Sequence, residues 1–119
     1  MEKSTPTINH FLVYVKLERF FPDDLMFLEN VGESIIKSLG LVVVNKTYHK
    51  FDSKGITLAY ILSQSHFILH TWPEYKFIHL DLFSCSDIAK EEVKRAINSI
   101  FPREIKRVFE VKKVLNLTD

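Results

Sequence analysis

Between residues 63 and 85 hydroxyls, imidazoles and the one thiol of the chain interrupt stretches that are otherwise apolar. They read Ser63-Gln64-Ser65-His66-Phe67-Ile68-Leu69-His70-Thr71-Trp72-Pro73-Glu74, then Asp81-Leu82-Phe83-Ser84-Cys85. A hydroxyl or thiol beside an imidazole is the material of nucleophilic and proton-transfer chemistry. A hairpin closing at Pro73-Glu74-Tyr75 would set residue 72 opposite 76, hence 65 opposite 83 and 63 opposite 85. Cys85 then lies beside the serine pair, and the hydroxyl, thiol and imidazoles converge inside a sheet. Duller readings exist for each residue. Cys85 alone fits a small buried hydrophobe, and Asp81 with His79 fits a hydrogen-bonded pair. A Ser65/His70/Asp81 hydrolase triad lacks the Gly-x-Ser-x-Gly elbow. His66, His70 and His79 are too irregularly spaced for a metal triad, so no metal site is expected.

The elements that must position these residues are legible from periodicity. Asn9 to Leu17 alternates as a strand, and Pro22, Asp23 and Asp24 open a helix at its positive end. Leu25, Leu28, Gly32, Ile35, Ile36 and Leu39 follow helical spacing and Gly40 stops it. Leu41 to Phe51, Ile56 to Ser63, Phe67 to Thr71 and Phe77 to Ser84 are β-branched or aromatic strand sequences. Ser86 or Asp87 can cap a second helix, whose stripe is Ala89, Val93, Ala96, Ile97 and Ile100; Pro102 ends it, and Glu104 to Leu115 alternates as a last strand. Short turns demand antiparallel neighbours. The expectation is an α+β two-layer sandwich, an antiparallel sheet with two helices on one face. Leu58, Tyr60 and Leu62 would line one side, with Ala59 and Ile61 leaving an apolar opposite face for a second copy, or another partner, to cover.

At 119 residues the chain is read as a single domain spanning 1–119. Its 46% hydrophobic and 26% charged residues suit a globular protein, and a net charge of +1 offers no case for nucleic acid or an anionic membrane surface. One cysteine excludes an intramolecular disulfide framework. No stretch approaches the roughly 20 apolar residues of a membrane span or resembles a signal peptide, so a cytoplasmic location is expected.

Taken together, the segments resemble the bacterial and archaeal S-adenosylmethionine decarboxylase proenzymes, which are pyruvoyl enzymes of polyamine synthesis. That family has Ser-Glu-Ser-His, His-Thr-Trp-Pro-Glu and Asp-x-Phe-x-Cys segments. This chain has Ser63-Gln64-Ser65-His66, His70-Thr71-Trp72-Pro73-Glu74 and Asp81-Leu82-Phe83-Ser84-Cys85. His49-Lys50-Phe51 and Gly55-Ile56-Thr57 fall on the family's His-basic-Phe and Gly-Val-Ser.

The resemblance implies self-cleavage between Gln64 and Ser65, leaving Ser65 as a covalent pyruvoyl group. This cofactor forms a Schiff base with the substrate amine and accepts the electrons that departing CO₂ leaves. It further implies that His70 transfers protons during processing, that Thr57 assists through its hydroxyl, and that Cys85 reprotonates the product. Phe51 would stack on adenine, Glu74 would bind ribose hydroxyls, and Gln64 and Trp72 would complete the substrate-binding set. The partners implied are S-adenosylmethionine and a second copy of the chain, in a homodimer that supplies spermidine synthesis. Gln64 stands where the family has glutamate, Thr57 where it has serine, Tyr14 where an acid is common and Leu58 where glycine is frequent. The alternatives are a pyruvoyl decarboxylase of another amine, such as arginine or ornithine, and an uncleaved, catalytically silent regulatory relative.

Overall fold

Along β1 (Ile8–Leu17) burial alternates residue by residue, with Asn9, Phe11, Val13, Val15 and Leu17 inside and their neighbours half-exposed. Such alternation marks a strand covered on one side only. The computed structural model describes residues 7–18, 21, 23–52 and 54–101 with their side chains, and the backbone of 106–117. In chain order it holds β1, α1 (Leu25–Ser38), β2 (Val43–Lys50), β3 (Ile56–Leu62), β4 (Ser65–Trp72), β5 (Phe77–Ser84), α2 (Lys90–Ile100) and β6 (Lys106–Leu117). The strands form one antiparallel sheet in the order β2-β3-β4-β5-β1-β6. The α+β expectation holds. Pro22, Pro102 and Glu104 lie outside the described residues.

Asp24 caps α1, its carboxylate accepting the Phe27 N–H at 2.7 Å, and Gly40 ends the turn beyond with φ of +70°. Leu28, Val31, Gly32, Ile35 and Ile36 form the buried stripe. The helix crosses the sheet at Gly32, where an added Cβ would stand 2.8 Å from the Tyr60 ring. The second helix corrects the expected cap: Ala89, not Ser86 or Asp87, precedes Lys90. Alanine has no side-chain oxygen to offer, so Glu92 alone serves this end by accepting the Ala89 N–H at 3.1 Å. Val93, Ala96 and Ile97 join Leu58, Tyr60, Leu62, Phe67, Leu69, Ile78, Leu80 and Leu82 in one core. At its edge Tyr60 donates to Glu33, which also pairs with Lys46 of β2; burial, then Glu33, pushes the phenol's pKa up.

Among the described residues no helix covers the opposite face, as the pattern implied, and Ile61 stands 53% exposed on it. All five histidines of the chain, His10, His49, His66, His70 and His79, occupy this face by strand alternation. The β4–β5 register departs from expectation. Trp72 pairs with Phe77 rather than 76, and His66 rather than Ser65 faces Phe83. The reason is the turn: a 3₁₀ segment, Pro73–Tyr75, is followed by Lys76 in the left-handed conformation, φ +53°, so four residues close the hairpin.

Candidate active site

The β3–β4 hairpin is closed by two residues, Ser63 and Gln64, between the paired Leu62 and Ser65. Gln64 takes the left-handed conformation, φ +59°, that such a tight reversal requires. Glycine adopts it freely; for glutamine it costs about 1–2 kcal/mol. Ser65 emerges from this turn with its Oγ accepting the Cys85 backbone N–H at 3.1 Å. The Ser65 hydroxyl points at Cys85 Sγ, 3.8 Å away, and the thiol in turn donates to Gln64 Oε1 at 3.4 Å. The expected neighbourhood of Ser65 and Cys85 is therefore real, although the register that suggested it was one residue off. Cys85 is half-exposed and lies just past the end of β5, where it is not the buried hydrophobe of the dull reading.

A second cluster lies further along β4. His70 pairs with Thr57 across β3–β4, and His70 Nδ1 shares a 3.0 Å hydrogen bond with Thr57 Oγ1. Both line a pocket of about 310 Å³ with Phe51, Lys54, Thr71, Trp72 and Glu74. That volume is at the lower end of the usual range for small-molecule sites, roughly 300–1,000 Å³. Its shape rests on backbone. Phe51 N–H donates to Gly55 O at 3.0 Å, and Thr71 Oγ1 accepts the Ile56 N–H at 2.9 Å. Gly55, φ +102°, lies so close beneath the Thr71 carbonyl that a Cβ would come within 2.7 Å of its oxygen. Exposed aromatic surface from Phe51 (48%) and Trp72 (41%) faces this pocket together with the Glu74 carboxylate, as a flat, hydroxyl-bearing ligand would need.

The eight predicted site residues thus fall into two groups: Gln64, Ser65 and Cys85 at the hairpin; Phe51, Thr57, His70, Trp72 and Glu74 at the pocket. They do not converge as expected. Ser65 and His70 sit five residues apart on one strand, about 16 Å at the usual rise. The triad reading fails as well, because Asp81 binds His10 at 2.7 Å, with His66 at 3.8 Å, and neither His70 nor His79. Among the described residues no group of three or more His, Cys, Asp or Glu is placed to hold a metal ion.

Two features escaped sequence reasoning. Lys54 lines the pocket, and nothing in its loop sequence marks it. A row of polar, proton-bearing groups also crosses five strands: His49, Thr57, His70, His79 and Tyr14 are successive cross-strand partners. The rings of His70 and His79 are 5.9 Å apart, those of His79 and Tyr14 5.0 Å. Burial lowers the His79 pKa, His70 adding to the effect while Asp81 opposes it. The right hairpin register would have shown this row.

An α+β sandwich with one bare, histidine-rich sheet face and a serine at a strained hairpin defines a narrow class of protein, and comparison with known proteins specifies it. The family described as S-adenosylmethionine decarboxylase matches residues 15–114, and the chain belongs to that family. An S-adenosylmethionine decarboxylase proenzyme of Thermodesulfovibrio yellowstonii is 28% identical over 103 residues, covering 83% of this chain and 76% of the relative. One from Thermosipho melanesiensis is 36% identical over 78 residues; the match covers 60% of this chain and 59% of the relative's length. The crystal structure of the adenosylmethionine decarboxylase from Aquifex aeolicus VF5 shares the fold, with a TM-score of 0.72 and 20% identity, covering 92% of this chain and 90% of that one. Among the described residues no helix is long and apolar enough to cross a membrane.

Proposed function

We propose that this protein is a self-processing decarboxylase of S-adenosylmethionine, cleaved between Gln64 and Ser65 and active as a homodimer. The observation that carries the reading is the hairpin itself: a nucleophilic hydroxyl one residue after a strained carbonyl, held by the Cys85 N–H. Ser65 Oγ bonds to the Gln64 carbonyl carbon as the peptide C–N bond breaks, and the hydroxyl proton passes to the nitrogen. Loss of the Ser65 α-proton then breaks the ester C–O bond and frees the Gln64 carboxylate. Hydrolysis of the resulting dehydroalanine releases ammonia and leaves a pyruvoyl group.

The residues present fit that group. Cys85 sets both a backbone donor and a weakly acidic thiol against the side chain of residue 65. The pyruvoyl group supplies an electrophilic carbonyl that takes an amine and acts as the electron sink for decarboxylation. Around it the chain's own groups divide the work. Cys85 returns a proton to the product carbon, and Gln64 accepts the thiol's hydrogen bond and meets the substrate's ammonium as an amide. His70, steadied through Nδ1 by Thr57, moves the processing proton. Phe51 and Trp72 flank the base, Glu74 receives the ribose hydroxyls, and the product feeds spermidine synthesis.

The separation of the two clusters supports the homodimer. His70 cannot reach Ser65 of its own strand, and in this reading the partner's His70, with its pocket, comes to the hairpin of this chain. The bare sheet face offers the surface for that contact. Denaturing mass spectrometry tests the core of the reading: purified protein should run as two fragments, the first ending at Gln64, whereas Ser65→Ala stays whole at about 14.0 kDa. An unaltered chain that remains intact after prolonged incubation overturns it. If cleavage occurs, CO₂ release from labelled S-adenosylmethionine, against arginine and ornithine, identifies the substrate.

A further inference from the structure

Among the described residues only two that are not glycine have left-handed backbones, Gln64 and Lys76. Lys76 closes the β4–β5 turn and lies outside both clusters. Gln64 is the residue whose carbonyl the proposed cleavage consumes. A left-handed non-glycine residue persists only where its surroundings impose it, and here the restraints are explicit. Leu62 pairs with Ser65 on either side of the loop, Ser63 N–H donates to Val42 O at 3.3 Å, and Cys85 holds both the Ser65 hydroxyl and the Gln64 amide.

We infer that the backbone of Gln64 is a positioning element of processing, in that its left-handed strain is released on transfer of the acyl group to Ser65 and so favours the ester. This deepens the proposed function and rests on it. Bond counting supplies the reason. In the peptide, one atom, the Ser65 nitrogen, joins the Gln64 carbonyl carbon to Ser65 Cα. In the ester two atoms, Oγ and Cβ, join them. The loop gains an atom while its anchors stay in place, and Gln64 is no longer forced across the reversal. An acyl shift from nitrogen to oxygen runs uphill in an unstrained chain, so strain relieved at that step raises the population of the species that goes on to eliminate.

The test compares Gln64→Ala with Gln64→Gly. Both lose the amide contact with Cys85 and differ only in the Cβ, so their ratio isolates the backbone. The alanine variant should cleave roughly five- to thirty-fold faster than the glycine variant, the ratio set by the cost of a left-handed residue. In the uncleavable Ser65→Ala background the glycine variant should melt at the higher temperature. Lys76→Ala and Lys76→Gly should cleave at equal rates. Equal cleavage of the two Gln64 variants, or the same roughly five- to thirty-fold ratio at Lys76, overturns this inference while leaving self-cleavage standing. An unaltered chain that never cleaves overturns both.

Discussion

Thr57 illustrates how much of the proposed chemistry depends on single atoms. Its Oγ1 lies 3.0 Å from His70 Nδ1, so the hydroxyl fixes the ring and leaves Nε2 for proton transfer. Valine matches threonine in shape but lacks the oxygen, leaving the half-buried imidazole nitrogen without its partner, a change of order 1–3 kcal/mol. Thr57→Val should therefore fold normally and cleave about ten-fold or more slowly, measured as the rate of fragment appearance. Thr57→Ser should retain the rate. Equal rates for valine and threonine would remove the hydroxyl from the mechanism. Residue types were readable at this scale, since hydroxyl, thiol and imidazole announce themselves in apolar strands. Their grouping was not. The sequence places Ser65 and His70 close together, and only strand geometry makes five residues a distance too long for a proton.

The elements were legible where their signals are local. Alternation in β1 and the stripe of α1 are periodicities that show within a few residues of sequence, and Asp24 is among the acids expected where that helix starts. The misread features were those without a local signal: Ala89 is no capping type, and Lys76 gives no hint of a left-handed turn. One extra residue in that hairpin reverses which side chains share a face, and so hid the row from His49 to Tyr14. Gly55 shows the reverse case, a residue whose role only the packed elements disclose. Its missing Cβ lets the loop after β2 pass under the Thr71 carbonyl, which keeps Phe51 at the pocket. Gly55→Ala adds both that 2.7 Å clash and a strained φ, and should lower stability by about 1–3 kcal/mol. Urea unfolding of the Ser65→Ala form with and without the change reads this directly. An unchanged midpoint would mean the loop yields at no cost.

Across the whole molecule the two clusters pose a question that one chain cannot answer alone. If the hairpin of one protomer works with the pocket of its partner, two defective chains can rescue each other. Co-expressed Ser65→Ala and His70→Ala chains should yield cleaved His70→Ala chains, at up to about half, since random pairing makes half of all dimers mixed. Each variant by itself should stay whole. Absence of rescue in verified mixed dimers would return the chemistry to a single chain.

If the chain is cut as proposed, the strand order also governs the fate of the two fragments. Residues up to 64 supply β1, β2 and β3, and residues from 65 supply β4, β5 and β6, but the sheet does not divide there: β1 lies between β5 and β6. The two products are woven through each other, with ladders joining them at β3–β4, β5–β1 and β1–β6. Severing the backbone therefore cannot shed a propeptide. A protomer cut there and then pulled apart would have to find its other half again by collision rather than along a tether.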